Sequence, residues 1–465
     1  MPERSDPDLS DHIAAAVAAA IARHAERFPP DTRPVVAVAY SGGVDSTALL
    51  HGVARCAPRG TFDAFAFHVN HGLAADADAW AAHCRDEAQR LGVAYDDVRV
   101  DVDPRAGSLE AEARRLRYDA LVRLCMRHGC AILVTAHHAD DQAETVLLNL
   151  LRGAGIGGLT AIARTRWLDD VLLLRPLLDV PRDVLRAAIE SQGLAVVEDP
   201  SNEDRRFTRN ALRHEVMPVL RRIVPTVAAR LAQTAAHAVA AQTLLDEIGR
   251  EDLAAMVEAS SDIDDGLDVD RLRALSDVRA ANALRVWLAR HGLRPPSAAS
   301  LREMLAQLRS STPGPQLSLL HESRNLRIYR GRVSIEAVTG ARPGIESLEW
   351  RGEPVLASKM WGGRLCFAPT GGEGFDASAL RAGPLTLRGR QGGERMRVAA
   401  DRPSRTLKNL YQERAIPSWR RERLPLVYLG EQLILVAGIG PNAAALRPAV
   451  AGGDRVELTW HGVDG

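Results

Sequence analysis

Two stretches of the chain carry side chains whose types and spacing suit chemistry. The first is SGGVDS, comprising Ser41, Gly42, Gly43, Val44, Asp45 and Ser46. It follows the unbroken apolar run from Val35 to Tyr40 and precedes a helical pattern with Ala48, Leu49, Leu50 and Val53 on one face. Glycines at 42 and 43 let consecutive backbone N–H groups turn onto one small anion, and the helix start adds the positive end of its dipole. Ser41, Ser46 and Thr47 offer hydroxyl donors, whereas a carboxylate at Asp45 suits a phosphate site only with Mg2+ between the two. The same six residues also fit a plain glycine-rich turn with a capping serine. A Walker A loop is excluded, because the chain has only two lysines, Lys359 and Lys408, and neither follows a glycine.

The second stretch is AHHADDQAET. Asp140 and Glu144 stand at i, i+4 and Asp141 and Glu144 at i, i+3, so a helix puts all three acids on one face. Such crowding calls for a cation or a substrate amine, and His137 and His138 stand just ahead, where one can touch phosphate or move a proton. Helix capping by Asp140 and Asp141 is the plainer alternative. In SLEAEAR, Glu110 and Arg114 lie one turn apart and suit either substrate orientation or a simple ion pair. Residues 205 to 222 hold Arg205, Arg206, Arg209, Arg213, Arg221 and Arg222 against Glu215 alone, with Phe207 among them to stack on a base. A second segment, 385 to 423, holds eleven basic and four acidic residues, with Tyr411 and Trp419 interleaved. Two basic segments in a chain of formal charge +0 point to a long polyanionic partner and exclude a uniformly basic nucleic-acid binder. GAGIGG, residues 153 to 158, matches a dinucleotide-binding string but follows a helix instead of a strand, and reads as a close-approach loop.

These residues need a frame. Strands at 62 to 69, in AYDDVRV and at 130 to 136 alternate with helices at 74 to 91 and 107 to 128, which predicts an α/β fold with a doubly wound parallel sheet. Ligands of such sheets sit outside the carboxyl ends of the strands, so SGGVDS, HVNHGL and AHHADDQAET gather at one edge. From about 225 the pattern changes to helices at 226 to 250, 268 to 292 and 297 to 308, then short strands to about 337. Past a Pro/Gly-bearing stretch the remainder is β-rich, with PLTLRGR and QLILVAGI as clear strands. The expected domains are 1–225, 226–345 (mainly helical) and 346–465 (β-rich), as suits 465 residues. Five cysteines, odd in number and without a C-x-x-C pair, suggest neither a disulfide framework nor a zinc or iron–sulfur knuckle, and fit a reducing cytoplasm. The run Ile13 to Ala22 is too short for a bilayer and reads as an alanine-rich helix packed on the first domain.

SGGVDS resembles the SGGxDS loop of the PP-loop ATP pyrophosphatases. Within that group SGGVDSTALLH, HVNHGL, GSLEAEARRLRYDAL, AHHADDQAETVLLNLLRGAGIGGL, RPLLDV and EDPSNEDRRFTRNALRHEVMP resemble, in order, the motifs of the tRNA(Ile)-lysidine synthetases. KNLYQERAIPSWRRERLPLVY is similar to that family's C-terminal domain, and Ala74 departs from the family's usual arginine after HVNHGL. The resemblance implies a Rossmann-like PP-loop domain, a helical middle domain and a small β-rich C-terminal domain. It implies ATP as co-substrate with Mg2+, free L-lysine, and an isoleucine tRNA with a CAU anticodon whose wobble cytidine becomes lysidine; a homodimer is compatible with it. Ser41, Gly42, Gly43, Val44, Asp45, Ser46, His68 and Asn70 would bind ATP, with Asp45 on the metal. Asp45, His137, Asp140, Asp141 and Glu144 would carry catalysis, and Glu110, Arg114, Arg205, Arg209 and Arg213 would hold substrate or tRNA. A PP-loop tRNA thiolase and a small-molecule PP-loop ligase are the alternatives.

Overall fold

The computed structural model describes residues 9–28, 33–58, 62–72, 76–101, 109–200, 204–206, 208–257, 266–310, 318–337, 342–448 and 454–462, with backbone alone for 109–111. The chain divides into two compact units, 1–248 and 249–465.

The first unit is built on one sheet. Its strands are β1 (Val35–Ala39), β2 (Asp63–Asn70), β3 (Ala94–Arg99), β4 (Cys130–Val134), β5 (Thr165–Leu168) and β6 (Val171–Leu174), in the order β3-β2-β1-β4-β6-β5. All neighbours are parallel except β5, which pairs antiparallel with β6 at the edge. The helices of this unit are α1 (Leu9–Arg23), α2 (Val44–Cys56), α3 (Ala77–Arg90), α4 (Leu109–His128), α5 (Ala139–Leu151), α6 (Ile156–Leu159), α7 (Arg182–Ser191), α8 (Thr208–Ala211), α9 (Met217–Ile223) and α10 (Val227–Val257), the last running past residue 248. Residues of α1, α2, α3 and α7 form the core on one face of the sheet, around Ile13, Leu49, Leu50, Cys84 and Leu185. Residues Leu121, Leu124 and Cys125 of α4 cover the other face with Phe67, Leu133 and Leu173. Coverage on both faces explains why β1 and β6 read as VVAVA and VLLL without alternation. The alanine-rich α1 lies so close to α2 that a Cβ on Gly52 would sit 2.3 Å from Ile13 Cδ1.

The doubly wound sheet is as expected, and the β5–β6 hairpin is the addition. The signal was local: two short runs flank Asp169-Asp170, and Asp169 takes φ +50°, the backbone of a two-residue hairpin turn. Among the described residues no helix is long and apolar enough to cross a membrane. Cys56, Cys84, Cys125 and Cys130 are buried free thiols and Cys366 is a partly buried one.

In the second unit α11 (Val269–Ala274), α12 (Asp277–Arg290) and α13 (Ala298–Ser310) pack around Leu272, Leu284, Trp287, Leu288 and Leu308. The helix expected from 268 to 292 is broken at Ser276, whose Oγ accepts from Arg279 N at 3.4 Å and caps α12. A four-stranded antiparallel sheet completes that core, in the order β7 (Leu267–Asp268), β10 (Arg332–Ala337), β9 (Arg324–Tyr329), β8 (Ser318–His321). Between Glu346 and Gly462 a five-stranded and a four-stranded antiparallel sheet share a core of Trp350, Leu365, Leu385, Leu387, Val427 and Leu458.

Candidate active site

Both chemical stretches emerge at the carboxyl ends of neighbouring strands, β1 and β4, where the strand order reverses. The loop after β1 is tied to itself and to one distant residue. Ser46 Oγ donates to Gly43 O at 3.0 Å and lies 3.0 Å from Ser41 Oγ, and Thr47 Oγ1 donates to Gly42 O at 3.2 Å. Val197 N donates to Gly42 O at 2.9 Å, and Gly42 has φ +82° with space for no Cβ, which would meet Val197 Cγ2 at 2.9 Å. Gly43 is the N-cap of α2 and no side chain caps that helix, so the plain capping-serine reading fails and the first N–H groups of α2 are left without a side-chain acceptor. Such a turn suits a small anion.

Asp45, in the first turn of α2, has an Oδ1 atom that is buried yet accepts no hydrogen bond. Its neighbours are Arg182 Nε at 3.6 Å from Oδ1 and His138 Nε2 at 3.5 Å from Oδ2. An unsatisfied carboxylate oxygen beside a phosphate cradle fits Mg2+. Among the described residues no group of three or more His, Cys, Asp or Glu side chains forms a closed metal site, so phosphate oxygens and water would have to complete the ion's shell. His138, the N-cap of α5, is 1% exposed. Burial opposes its imidazolium, but Asp45, Asp141 and Asp140 around it outweigh burial and raise its pKa.

The acids after β4 do come together, and they are already matched. Arg209 Nη2 donates to Asp141 Oδ1 at 2.8 Å and Arg209 Nε to Glu144 Oε2 at 2.9 Å. Arg213 Nε donates to Glu144 Oε1 at 2.6 Å, and Arg213 Nη2 reaches Glu144 Oε2 at 2.9 Å and Asp141 Oδ1 at 3.2 Å. Asp140 accepts from Arg182 N at 2.9 Å, which ties it to the start of α7, and also from Arg221. This corrects two expectations. Arg209 and Arg213 turn inward onto carboxylates and do not stand free for phosphate, because Asp141 and Glu144 are only 9% and 2% exposed and buried charge needs an opposite charge at hydrogen-bond range. Asp140 has both oxygens committed to the fold and acts as a positioning residue. A stretch of π-helix, Leu212–Val216, joins α8 to α9 and carries Arg213. Arg205 does face solvent, paired with Glu215 at 3.6 Å.

His137 shares a 2.9 Å hydrogen bond with Thr135 Oγ1. Burial, then Arg175, Arg114 and Arg117, push its pKa down to about 3 against the pull of Asp141, so it is neutral at pH 7 and a weak base. His68 is buried, donates Nδ1–H to Tyr40 O at 3.0 Å, and has a pKa lowered mainly by burial. Asn70 is corrected: its Nδ2 donates to Asp78 Oδ1 and its Oδ1 accepts from Gly72 N, both at 2.8 Å, so its amide organises the turn after β2. Arg114 is exposed on α4, 5.5 Å from the Tyr118 ring, while the Glu110 side chain, Ala74 and Phe207 lie outside the described residues. GAGIGG is mostly exposed and leads into α6, strapped to α5 by Asn149 Nδ2, which donates to Gly158 O at 2.8 Å, and by Gln142, which bonds both backbone groups of Ile162. Sequence reading offered His138 beside His137 and placed Arg221 in the basic stretch without a carboxylate partner, and it missed Arg182, for which only the nearness of RPLLDV was a signal.

A glycine-rich strand-to-helix loop at the strand-order reversal of a parallel sheet defines a class, and residues 15–220 match the PP-loop domain family accordingly. Residues 267–334 match the TilS substrate binding domain and residues 385–458 the TilS substrate C-terminal domain. The chain is 43% identical over 466 residues to the tRNA(Ile)-lysidine synthase of Burkholderia pseudomallei, covering 93% of this chain and 94% of the relative. It is 45% identical to that of Ralstonia nicotianae, with 92% of each covered, and 36% identical to that of Coxiella burnetii, with 86% and 88% covered. The chain belongs to the tRNA(Ile)-lysidine synthase family.

Proposed function

We propose that the chain is an ATP-consuming ligase forming a carbon–nitrogen bond between free L-lysine and C2 of the wobble cytidine in an isoleucine tRNA with a CAU anticodon. The observation that carries this reading is the pairing of a phosphate cradle with a buried acidic cluster on adjacent strand ends, in a chain related to tRNA(Ile)-lysidine synthases over nine-tenths of its length. The C2 carbonyl oxygen attacks the α phosphorus of ATP and diphosphate leaves. Lysine Nε then attacks C2, the C2–O bond breaks, AMP departs with that oxygen, and the amine gives up its proton.

Ser41, Gly42, Gly43, Val44 and Ser46 hold the departing diphosphate through backbone N–H and hydroxyl donors. Asp45, and phosphate with it, would hold Mg2+, which supplies positive charge where the leaving group gains negative charge. Asp141 and Glu144 receive the cationic substrate in exchange for Arg209 and Arg213, and one of their oxygens takes the amine proton; His137, with its lowered pKa, orients by hydrogen bonding. His138 holds Asp45 and Asp141 in place. Arg205, which faces solvent, meets anticodon-stem phosphates. The domains follow the boundaries 1–225, 226–345 and 346–465, the last two binding the tRNA body in the cytoplasm.

A sulfur-transferring alternative needs a reactive thiol. Cys84 approaches the loop, 3.2 Å from where a Gly42 Cβ would stand, but burial pushes its pKa up to about 12. The test is incorporation of radiolabelled lysine into unfractionated bacterial tRNA with ATP and Mg2+, with Asp45→Ala as control. Incorporation lost in the variant supports the reading; tRNA-dependent diphosphate release without lysine incorporation keeps the adenylating step and sinks lysine as second substrate.

A further inference from the structure

A second charge cluster stands at the same edge of the sheet, and the steps above leave all of it but His137 unused. Arg114, Arg117 and Tyr118 lie on α4, Arg175 follows β6, His71 follows β2 and His137 follows β4. Tyr118 packs on the core beneath α4, with Arg114 and Arg117 at 5.5 and 5.7 Å from its ring centroid. Arg175 interacts with the same tyrosine and is 5% exposed. Its Nη1 donates to Ala163 O at 2.5 Å, but its Nε is buried without an acceptor. Tyr118 Oη and His71 Nδ1 are buried without partners too. Among the described residues no carboxylate forms an ion pair with Arg114, Arg117 or Arg175. Burial first, then repulsion by neighbouring arginines, lowers the pKa of both Arg117 and Arg175, partly offset by Tyr118.

Buried guanidiniums without a counter-ion, beside unpartnered donors, cost folding energy that only an anion offsets. Two features of this cluster select among anions. Arg175 sits at the base, Arg117 is half-buried and Arg114 exposed, so the receptor is a recess; a phosphodiester inside a polymer would meet the exposed guanidinium and not the base. The other feature is its neighbour. His137 feels Arg175, Arg114 and Arg117 together with Asp141, so a cationic receptor and an anionic one adjoin at a single histidine. A free amino acid carries both charges, and planar guanidinium forks match a carboxylate in two-bond geometry. We infer that Arg117 and Arg175, with Tyr118 Oη and with Arg114 at the rim, receive the α-carboxylate of the amino-acid substrate. The receptor makes the enzyme select amino acids over plain amines.

The inference rests on lysine being the second substrate. Its test compares lysine with cadaverine, which has the same amine and chain and no carboxylate. In the wild type, kcat/KM for modification of tRNA favours lysine by roughly a hundredfold, the worth of a charge-assisted buried contact. In Arg175→Gln, and separately in Arg117→Gln, the lysine KM rises and the lysine-to-cadaverine ratio collapses to within about tenfold. Wild-type enzyme that uses cadaverine as well as lysine overturns the carboxylate receptor while leaving the ligase reading intact. Variants that keep the ratio but raise the KM for ATP or tRNA overturn it as well, and assign the arginines to phosphate. Wild type that incorporates neither amine defeats the underlying reading itself.

Discussion

Asp45 and His137 show how a side chain can be held in a state that suits ligand better than fold. The buried Oδ1 of Asp45 has no hydrogen bond, and its carboxylate is held only by looser pairs, to Arg182 at 3.6 Å and His138 at 3.5 Å. Asp45→Ala is expected to change the melting temperature only slightly, since it removes the two loose pairs with Arg182 and His138, while reducing tRNA-dependent diphosphate release by roughly 10³-fold; scanning calorimetry beside the release assay reads both. His137, with its pKa pushed down to about 3, binds a proton in the unfolded chain but not the folded one between about pH 3 and 6.5. The unfolded state therefore holds more protons in that window, and this histidine's contribution to stability is full above pH 6.5 and is lost as pH falls through it. His138 has the opposite sign: with its pKa raised, its contribution is full below pH 6.5 and fades as pH rises beyond. Guanidinium-chloride unfolding at stepped pH tests the pair. His137→Asn should flatten the acid limb, and an unchanged limb would refute the assignment.

At the scale of elements, the ion-pair set between α5 and the helical stretch 208–223 and the contact of α1 on α2 hold the site in shape. Glu144 is 2% exposed and takes three guanidinium hydrogen bonds from Arg209 and Arg213. Glu144→Gln strands those charges and should cost about 3 kcal/mol, and adding Arg213→Gln should restore part of it, because a matched neutral pair leaves less charge unpaired. A denaturation cycle over the four proteins with no coupling would contradict the pairing. Gly52 matters for a different reason: its missing Cβ is where Ile13 sits, fully buried. Gly52→Ala should lose about 1–3 kcal/mol by overpacking, and Ile13→Val in the same chain should recover some of that loss.

The whole molecule has separate hydrophobic cores. Those around Leu49 and around Leu121 belong to residues before 248, and those around Trp287, Leu385 and Tyr411 to residues after it. Calorimetry should resolve more than one unfolding transition, and ATP with Mg2+ should move only the one belonging to the nucleotide-binding unit. A single transition with equal calorimetric and van't Hoff enthalpies would be against it. The tRNA affinity should fall steeply with salt, though less steeply than eleven basic residues in 385–423 imply. Several are already engaged: Arg405 pairs with Glu413, Arg420 with Glu336 at 2.8 Å, and Arg388 lies 3.7 Å over Tyr428.

What the sequence determined by itself is whatever short-range rules govern. Apolar runs with no alternation required a covered parallel sheet, Gly42 and Gly43 required a loop able to hold an anion, and the spacing of Asp140, Asp141 and Glu144 required a shared helical face. Partnership was beyond it. Arg209 and Arg213 looked outward because local density says nothing about which buried charge, 65 to 72 residues away, will claim a guanidinium. Asn70 looked like a ligand contact until Asp78 and Gly72 took its amide, and Arg175 was only the first letter of RPLLDV until its Nε came out buried without an acceptor. A charge's role depends on the dielectric around it and on the charges that face it, and only tertiary packing sets either.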